Sequence, residues 1–348
     1  MTTVDYVFLV LSAILFVGCG GESDVSDSFE SSDIAVDENP DPHYPLDEIL
    51  RINHIQSKGT HNAYHVRPPA AVSIVDWDYT HAPLDVQLEE QGVRHFELDV
   101  HYAEIGDGSF PVFHLPTVDP LSTCPNLREC LRLTKEWSDA NPRHHILTFA
   151  IEPKDDGDAT HPITGHYDEL DAAILDGWPR ERVLTPADVK GAHSSLREAV
   201  LTDGWPTLGA TRGMALFMFN DSDEHRAAYI AGDPELDHVV MFPRSGLGKP
   251  WGSMVEHGNA RNSADEINES ARQGFLVRIH VGGADDDCEE RDAKAEAGLA
   301  SGGHWLNTDY PAPVEGEDCW FDIPGGTPSR CNPITAPPEC TSADIERL

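Results

Sequence analysis

Basic residues are the scarcest resource of this 348-residue chain: 24 Lys and Arg stand against 61 Asp and Glu, for a formal net charge of -37. A nucleic-acid binder displaces counterions with clustered lysine and arginine, and a surface this acidic repels phosphate backbones. The same deficit argues against electrostatic docking on anionic bilayers. An anionic substrate would need positive charge supplied locally, by a few basic side chains or by a metal ion. Long hydrophobic runs are also missing. The longest apolar stretch, Val7–Val17, has 11 residues, too few to span a bilayer. The seven cysteines include no C-x-x-C pair, which argues against a zinc site. No glycine-rich loop follows the first candidate strand, which argues against a doubly wound dinucleotide-binding sheet. What is present, 39% hydrophobic residues, suffices for one large α/β barrel or two smaller domains.

Val7–Val17 leads into Gly18-Cys19. A short apolar segment and a small residue before a cysteine form the pattern of a bacterial lipoprotein signal, so residues 1–18 are read as that signal. A plain secretory signal is the competing reading. Gly20–Asp41 holds eight acidic residues, several serines and no Lys or Arg. Such a segment repels itself and buries little, so 19–45 is expected to be a disordered tether to a domain over 46–348. Apart from Cys19, six cysteines remain, an even number suited to disulfides in an exported chain. Cys124 and Cys130 can close a small loop, and Cys331 and Cys340 can staple the C-terminal tail. The expected location is the cell envelope, anchored through Cys19, or the medium outside it.

From about Leu46 on, short β-rich runs alternate with helical patterns. The candidate strands are Asn53–Lys58, Val93–Asp99, Val112–His114, Ile146–Glu152, Met214–Phe219, His238–Phe242, Phe275–Ile279 and Trp305–Asp309. Helical patterns cover Leu84–Gln91, Leu127–Ala140, Tyr167–Leu175, Glu224–Ala231, Ala264–Gln273 and Glu289–Ala300. Eight strands over the 257 residues Asn53–Asp309 match the roughly 250 residues of a (β/α)8 TIM barrel. In that fold the catalytic residues sit at the C-terminal ends of the strands.

The expected strand ends are rich in chemistry. The first leads into His61 and Asn62, and the second ends in Glu97-Leu98-Asp99, whose i, i+2 spacing puts both carboxylates on one face. The third ends in His114, and the fourth in Glu152, followed by Lys154. Inward-pointing carboxylates are costly unless paired or metal-bound. Asn62, Glu97, Asp99 and Glu152 offer only oxygen, which favours Ca2+ or Mg2+ over zinc. Two histidines beside such a cation suit general acid and base catalysis, and together the set suits phosphodiester cleavage.

The motifs, taken in order, resemble the calcium-dependent phosphoinositide-specific phospholipase C family in its bacterial and fungal secreted branch, a group of TIM-barrel phosphodiesterases. They include Gly59-Thr60-His61-Asn62-Ala63-Tyr64, Arg94-His95-Phe96-Glu97-Leu98-Asp99-Val100, Val112-Phe113-His114, Ile151-Glu152-Pro153-Lys154, Leu276-Val277-Arg278 and Asn307-Thr308-Asp309-Tyr310-Pro311. The resemblance implies a catalytic pair, His61 and His114, and calcium ligands Asn62, Glu97, Asp99 and Glu152. The implied substrate is a phosphatidylinositol-type lipid at a membrane surface, cleaved by a monomer through attack of the inositol 2-hydroxyl. His114 is then the general acid, while His61 stabilises the phosphorane and helps deprotonate the hydroxyl, with Glu97 or Glu152 as the rival base. Lys154, Arg278 and Tyr310 are candidates for holding the headgroup, and Asp309 for orienting His61. In one departure, His280 stands where the family carries a second arginine, and the loop after it is longer. Two other readings remain: a glycerophosphodiester phosphodiesterase, disfavoured by His61-Asn62-Ala63 in place of His-Arg-Gly, and a non-catalytic surface lipoprotein that binds lipid or glycan.

Overall fold

Short apolar runs flanked by helices can bury both faces only in a parallel sheet covered by those helices. The computed structural model describes residues 44–347 except 70–73, 104–109, 156–160, 222, 247 and 326–327. Its strands are β1 (Ile55–Thr60), β2 (His95–Val100), β3 (Leu147–Pro153), β4 (Val183–Leu184), β5 (Ala215–Phe219), β6 (Phe242–Pro243), β7 (Met254–Glu256), β8 (Leu276–Gly282), β9 (Trp305–Thr308) and β10 (Ser329–Cys331). Every residue of β1, β2, β5 and β9 is buried.

Parallel pairing runs β1–β2–β3–β5–β6, then β7–β8–β9 and back to β1. The ring closes between β6 and β7 through the single parallel bridge Arg244↔Met254, where Ser245 N donates to Met254 O at 2.9 Å. The fold is thus an eight-stranded α/β barrel, loosened at one joint. β4 and β6 share one edge of β5, the first beside Ala215 and Leu216, the second beside Met218 and Phe219. β10 runs antiparallel against the start of β1.

The helix expected at Leu127–Ala140 forms over those residues. The Asn126 side chain caps it by accepting from Glu129 N at 3.0 Å, and Leu127, Cys130, Leu131, Thr134 and Ser138 form its buried stripe. Six of the eight expected strands form within a few residues of their expected limits, but Val112–His114 does not join the barrel. Val112 makes one isolated antiparallel bridge, to Val100 at the end of β2, because the four residues between Pro111 and Pro116 are too few to build a ladder with a second neighbour. His238–Phe242 shrinks to Phe242–Pro243. The place in the ring goes to Met254–Glu256, whose neighbours Trp251-Gly252-Ser253 and His257-Gly258 carry no apolar alternation.

The six described cysteines form three disulfides: Cys124–Cys130, Cys288–Cys319 and Cys331–Cys340. They fit an exported protein. No described helix is long and apolar enough to cross a membrane. The signal and nearly all of the tether lie outside the described residues. Tyr44, assigned to the tether, instead begins the folded part: it is buried, Arg212 lies over its ring at 3.9 Å, and its hydroxyl accepts from Arg347 N at 3.3 Å.

Candidate active site at the strand ends

β1, β2, β3, β5, β8 and β9 all deliver polar side chains to one end of the barrel. Asn62, just past β1, takes φ 45°, a left-handed conformation that asparagine tolerates better than most residues. Its amide donates to Glu97 Oε2 at 3.1 Å, and its Oδ1 accepts from Tyr64 OH at 3.3 Å. Asp99 and Glu152 are register partners on β2 and β3. Glu97, Asp99 and Glu152 offer carboxylate oxygens within 4.8 Å of one another.

Three buried carboxylates so close need cations. Arg278 of β8 places Nη2 2.6 Å from Glu97 Oε2 and Nη1 2.9 Å from Glu256 Oε1. With its amide oriented by its partners, Asn307 Oδ1 accepts from Arg278 Nη2 at 2.9 Å. The Asn307 side chain crosses β1 at Gly59, where a Cβ would lie 2.0 Å from its amide group, so only glycine fits. Lys154 Nζ contacts Glu152 and lies 3.3 Å from Asp99 Oδ2. Burial raises the Glu97 pKa, yet Arg278 and His61 outweigh it and hold Glu97 down at about 2. Burial and the Glu152 charge push Asp99 well above the usual carboxylate range; burial and Glu97 raise Glu152.

Asp99 is 1% exposed, and neither of its oxygens makes a hydrogen bond. Its nearest counter-charge, Lys154 at 3.3 Å from Oδ2, is shared with Glu152, so the clustered carboxylates carry more negative charge than that one ammonium balances, which suits a further cation. The clustered donors are three carboxylates, without thiolate or imidazole, and they fit a hard ion such as Ca2+.

His61 borders this cluster. His61 Nδ1 lies 2.9 Å from Asp309 Oδ1, and its Nε2 lies 3.8 Å from Glu97 Oε2. Burial disfavours its charged form, but Asp309 and Glu97 prevail and push it up to about 9. Asp309 Oδ2 accepts from Ala284 N at 2.8 Å, so the expected His61–Asp309 pair is present and held from behind. His114 stands in the loop after β2 and not at a strand end. Its Nδ1 is 2.9 Å from Asp119 Oδ2, and the edge of Trp77 meets its ring.

Sequence reasoning missed Asp119, His65, His81 and Asn220. Asp119 also meets His65 Nε2 at 3.0 Å, and His65 O accepts from His81 N while His81 Nε2 lies 2.9 Å from His61 O. A hydrogen-bonded path, running through the Asp119, His65 and His81 side chains and through backbone at His65, His81 and His61, therefore links the two histidines. Asn220, just past β5, donates Nδ2 to Glu97 at 3.3 Å and to Glu152 at 3.4 Å; the strand-end rule would have found it. Tyr310 is buried under Arg291, 3.9 Å away, and its hydroxyl reaches Asp78 O at 3.3 Å.

A model of the family described as Phosphoinositide phospholipase C, Ca2+-dependent, matches residues 50–110 and 101–333. The chain belongs to that family. It is accordingly an enzyme that cleaves the phosphodiester of phosphatidylinositol-type lipids with calcium. Two solved structures share the fold of this phospholipase C: a calcium-dependent phosphoinositol-specific phospholipase C from Pseudomonas sp. (16% identity, TM-score 0.59, covering 82% of this chain and 97% of that one) and a Ca2+-dependent phosphatidylinositol-specific phospholipase C from Streptomyces antibioticus (20%, 0.55, 75% and 95%). No curated protein matches the sequence significantly.

Proposed function

We propose that this phospholipase C splits its lipid by attack of the inositol 2-hydroxyl on the adjacent phosphate, releasing diacylglycerol and a cyclic or hydrolysed inositol phosphate. The buried Asp99 carboxylate without hydrogen bonds carries this reading, since it supports a cation at the heart of the site. Asn62, Glu97, Asp99 and Glu152 would hold calcium, which when bound polarises the phosphoryl oxygen and the attacking hydroxyl. His114, with Nδ1 committed to Asp119, presents Nε2 to protonate the departing diacylglycerol oxygen. His61, flanked by Asp309 and Glu97, balances the charge of the phosphorane and assists removal of the hydroxyl proton. Lys154 is the headgroup contact we retain, because calcium on Asp99 and Glu152 would take over the two carboxylates that now hold its ammonium. Arg278 and Tyr310 spend their polar groups on protein partners and act by positioning.

The substrate is met at a membrane surface. Val75, Val118, Leu121 and Trp320 are 62, 41, 41 and 46% exposed, on loops that carry or touch His114 and Tyr310. With a net charge of -37, attachment must come from such apolar contact and from an anchor. We assign that anchor to Cys19, the one cysteine of seven outside the three disulfides. Cys19→Ser should release the protein from the membrane fraction, and unchanged membrane-bound processing would refute the anchor.

Product analysis on phosphatidylinositol, with calcium and with chelator, tests the reaction. Chelator should abolish release of inositol phosphate, calcium should restore it, and Glu152→Gln should demand more calcium. Full activity in excess chelator, or better rescue by zinc than by calcium, overturns the assignment.

A further inference from the structure

We propose that His61, His280 and Asp309 form a second cation site, which takes a borderline metal such as Zn2+ and arrests the enzyme. The end of β1, β8 and the end of β9 bring these side chains together, with one donor atom from each inside a common 4.8 Å. The set is chemically unlike the calcium cluster beside it. Two imidazole nitrogens and a carboxylate oxygen match zinc, which accepts three protein ligands and leaves a fourth position for water or a phosphoryl oxygen.

The donors are positioned in advance. Asp309 is fixed by the Ala284 amide at 2.8 Å and already touches His61. His280 precedes the register shift between His280 and Gly282, an irregularity of the kind that re-aims a side chain. Its ring meets that of His61 edge-on, centroids 5.4 Å apart, and no hydrogen bond among the described residues engages its ring nitrogens. Behind it, a Cβ on Gly283 would lie 3.2 Å from His280 Cε1, so the loop packs closely on the ring. Zinc bound here replaces the His61–Asp309 hydrogen bond with two metal bonds, releasing the His61 proton to solvent. Arrest follows because His61 can no longer serve the phosphorane, and this half of the inference rests on the catalytic reading of His61.

The test uses the full-length, calcium-saturated enzyme. Co2+, a spectroscopic substitute for zinc, should develop the visible bands of a nitrogen-ligated low-coordinate ion with one equivalent bound, and excess Ca2+ should not displace it. His280→Ala should weaken that binding about tenfold or more; His280→Gln, closer in volume, repeats the test, and melting curves establish that both variants fold. In the wild type, Zn2+ should lower phosphatidylinositol cleavage at least about tenfold, and each variant should resist it in proportion to its lost Co2+ affinity. Absence of a Co2+ spectrum, or binding and inhibition that persist without His280, overturns the site. A spectrum that depends on His280 without loss of cleavage overturns the arrest and the catalytic role of His61, leaving calcium dependence untouched.

Discussion

At the residue scale the two histidines are divided by what stands behind them. His114 is backed by Asp119 and leaves one nitrogen for the substrate, so its loss should fall on the leaving group. His114→Ala is expected to slow cleavage of the natural lipid about 10²–10⁴-fold and to spare a substrate whose leaving group needs no proton. Comparing kcat/KM on the two substrates checks this; equal losses would return His114 to a packing role. Asp119 supports both His114 and His65, at 2.9 and 3.0 Å. Asp119→Asn should therefore lower kcat with little change in KM and shift the pH profile of kcat, which a purely structural loss would leave in place.

Among elements, the C-terminal tail does more than its length suggests. Arg94, at the entrance to β2, is 1% exposed and pairs with Glu346, with Nε 3.0 Å from Oε1. Glu346 also accepts from His145 N at 2.9 Å, ahead of β3. Glu346→Ala leaves the Arg94 charge buried and unpaired, at a cost of about 3–5 kcal/mol, measurable as a lower urea midpoint. The Cys288–Cys319 bridge ties the start of the helix Cys288–Ala300 to the loop beyond β9 across 31 residues. Replacing both cysteines with alanine should cost about 3–4 kcal/mol on the loop-entropy model, more than the same change at Cys124–Cys130, where the separation is 6. Similar losses from the two would count against that account.

For the whole molecule, acid is the expected weakness. Burial lowers His144, His145 and His304 to about 4, 3 and 4. Below their ordinary 6.5, the unfolded chain takes up protons that the folded one refuses, so stability falls as pH drops from 6.5 towards those values. Each group costs up to about 1.4 kcal/mol per pH unit in that window. Asp171 opposes them: burial raises it to about 7, so its contribution is full below its ordinary 3.8 and is lost as pH rises towards 7. His81 and His95 are lowered as well, while Asp99 and Glu152 are raised with Asp171, and the more numerous histidines leave a net loss in acid. The urea midpoint should drop between pH 7 and pH 5, and a constant midpoint would contradict the buried neutral histidines. At the same scale, Val75→Ser with Trp320→Ala should cut activity on bilayers of neutral lipid while sparing a water-soluble substrate.

Much of the site was legible before folding because its chemistry is local to strand ends. Glu97 and Asp99 share a face at period 2, and the end of one strand predicts where its polar residues emerge, so Asn62 and Glu152 join them once a barrel is assumed. The helix at Leu127–Ala140 was equally plain, since cap and stripe lie within one segment. Other features depend on distance in sequence. Arg278 reads as a headgroup ligand until the barrel sets it against Glu97 and Glu256, and the pairing of Cys288 with Cys319 needs the loop beyond β9 to fold back. Val112 and Met254 show the limit for strands: segments of three residues carry too little periodicity to be recognised, and only the vacant edges of their neighbours decide which enters the ring. Composition and local pattern determined the residue types, the barrel and its acidic cation site. Tertiary structure alone decided which charges neutralise one another, because Coulomb energy depends on separations that no stretch of sequence contains.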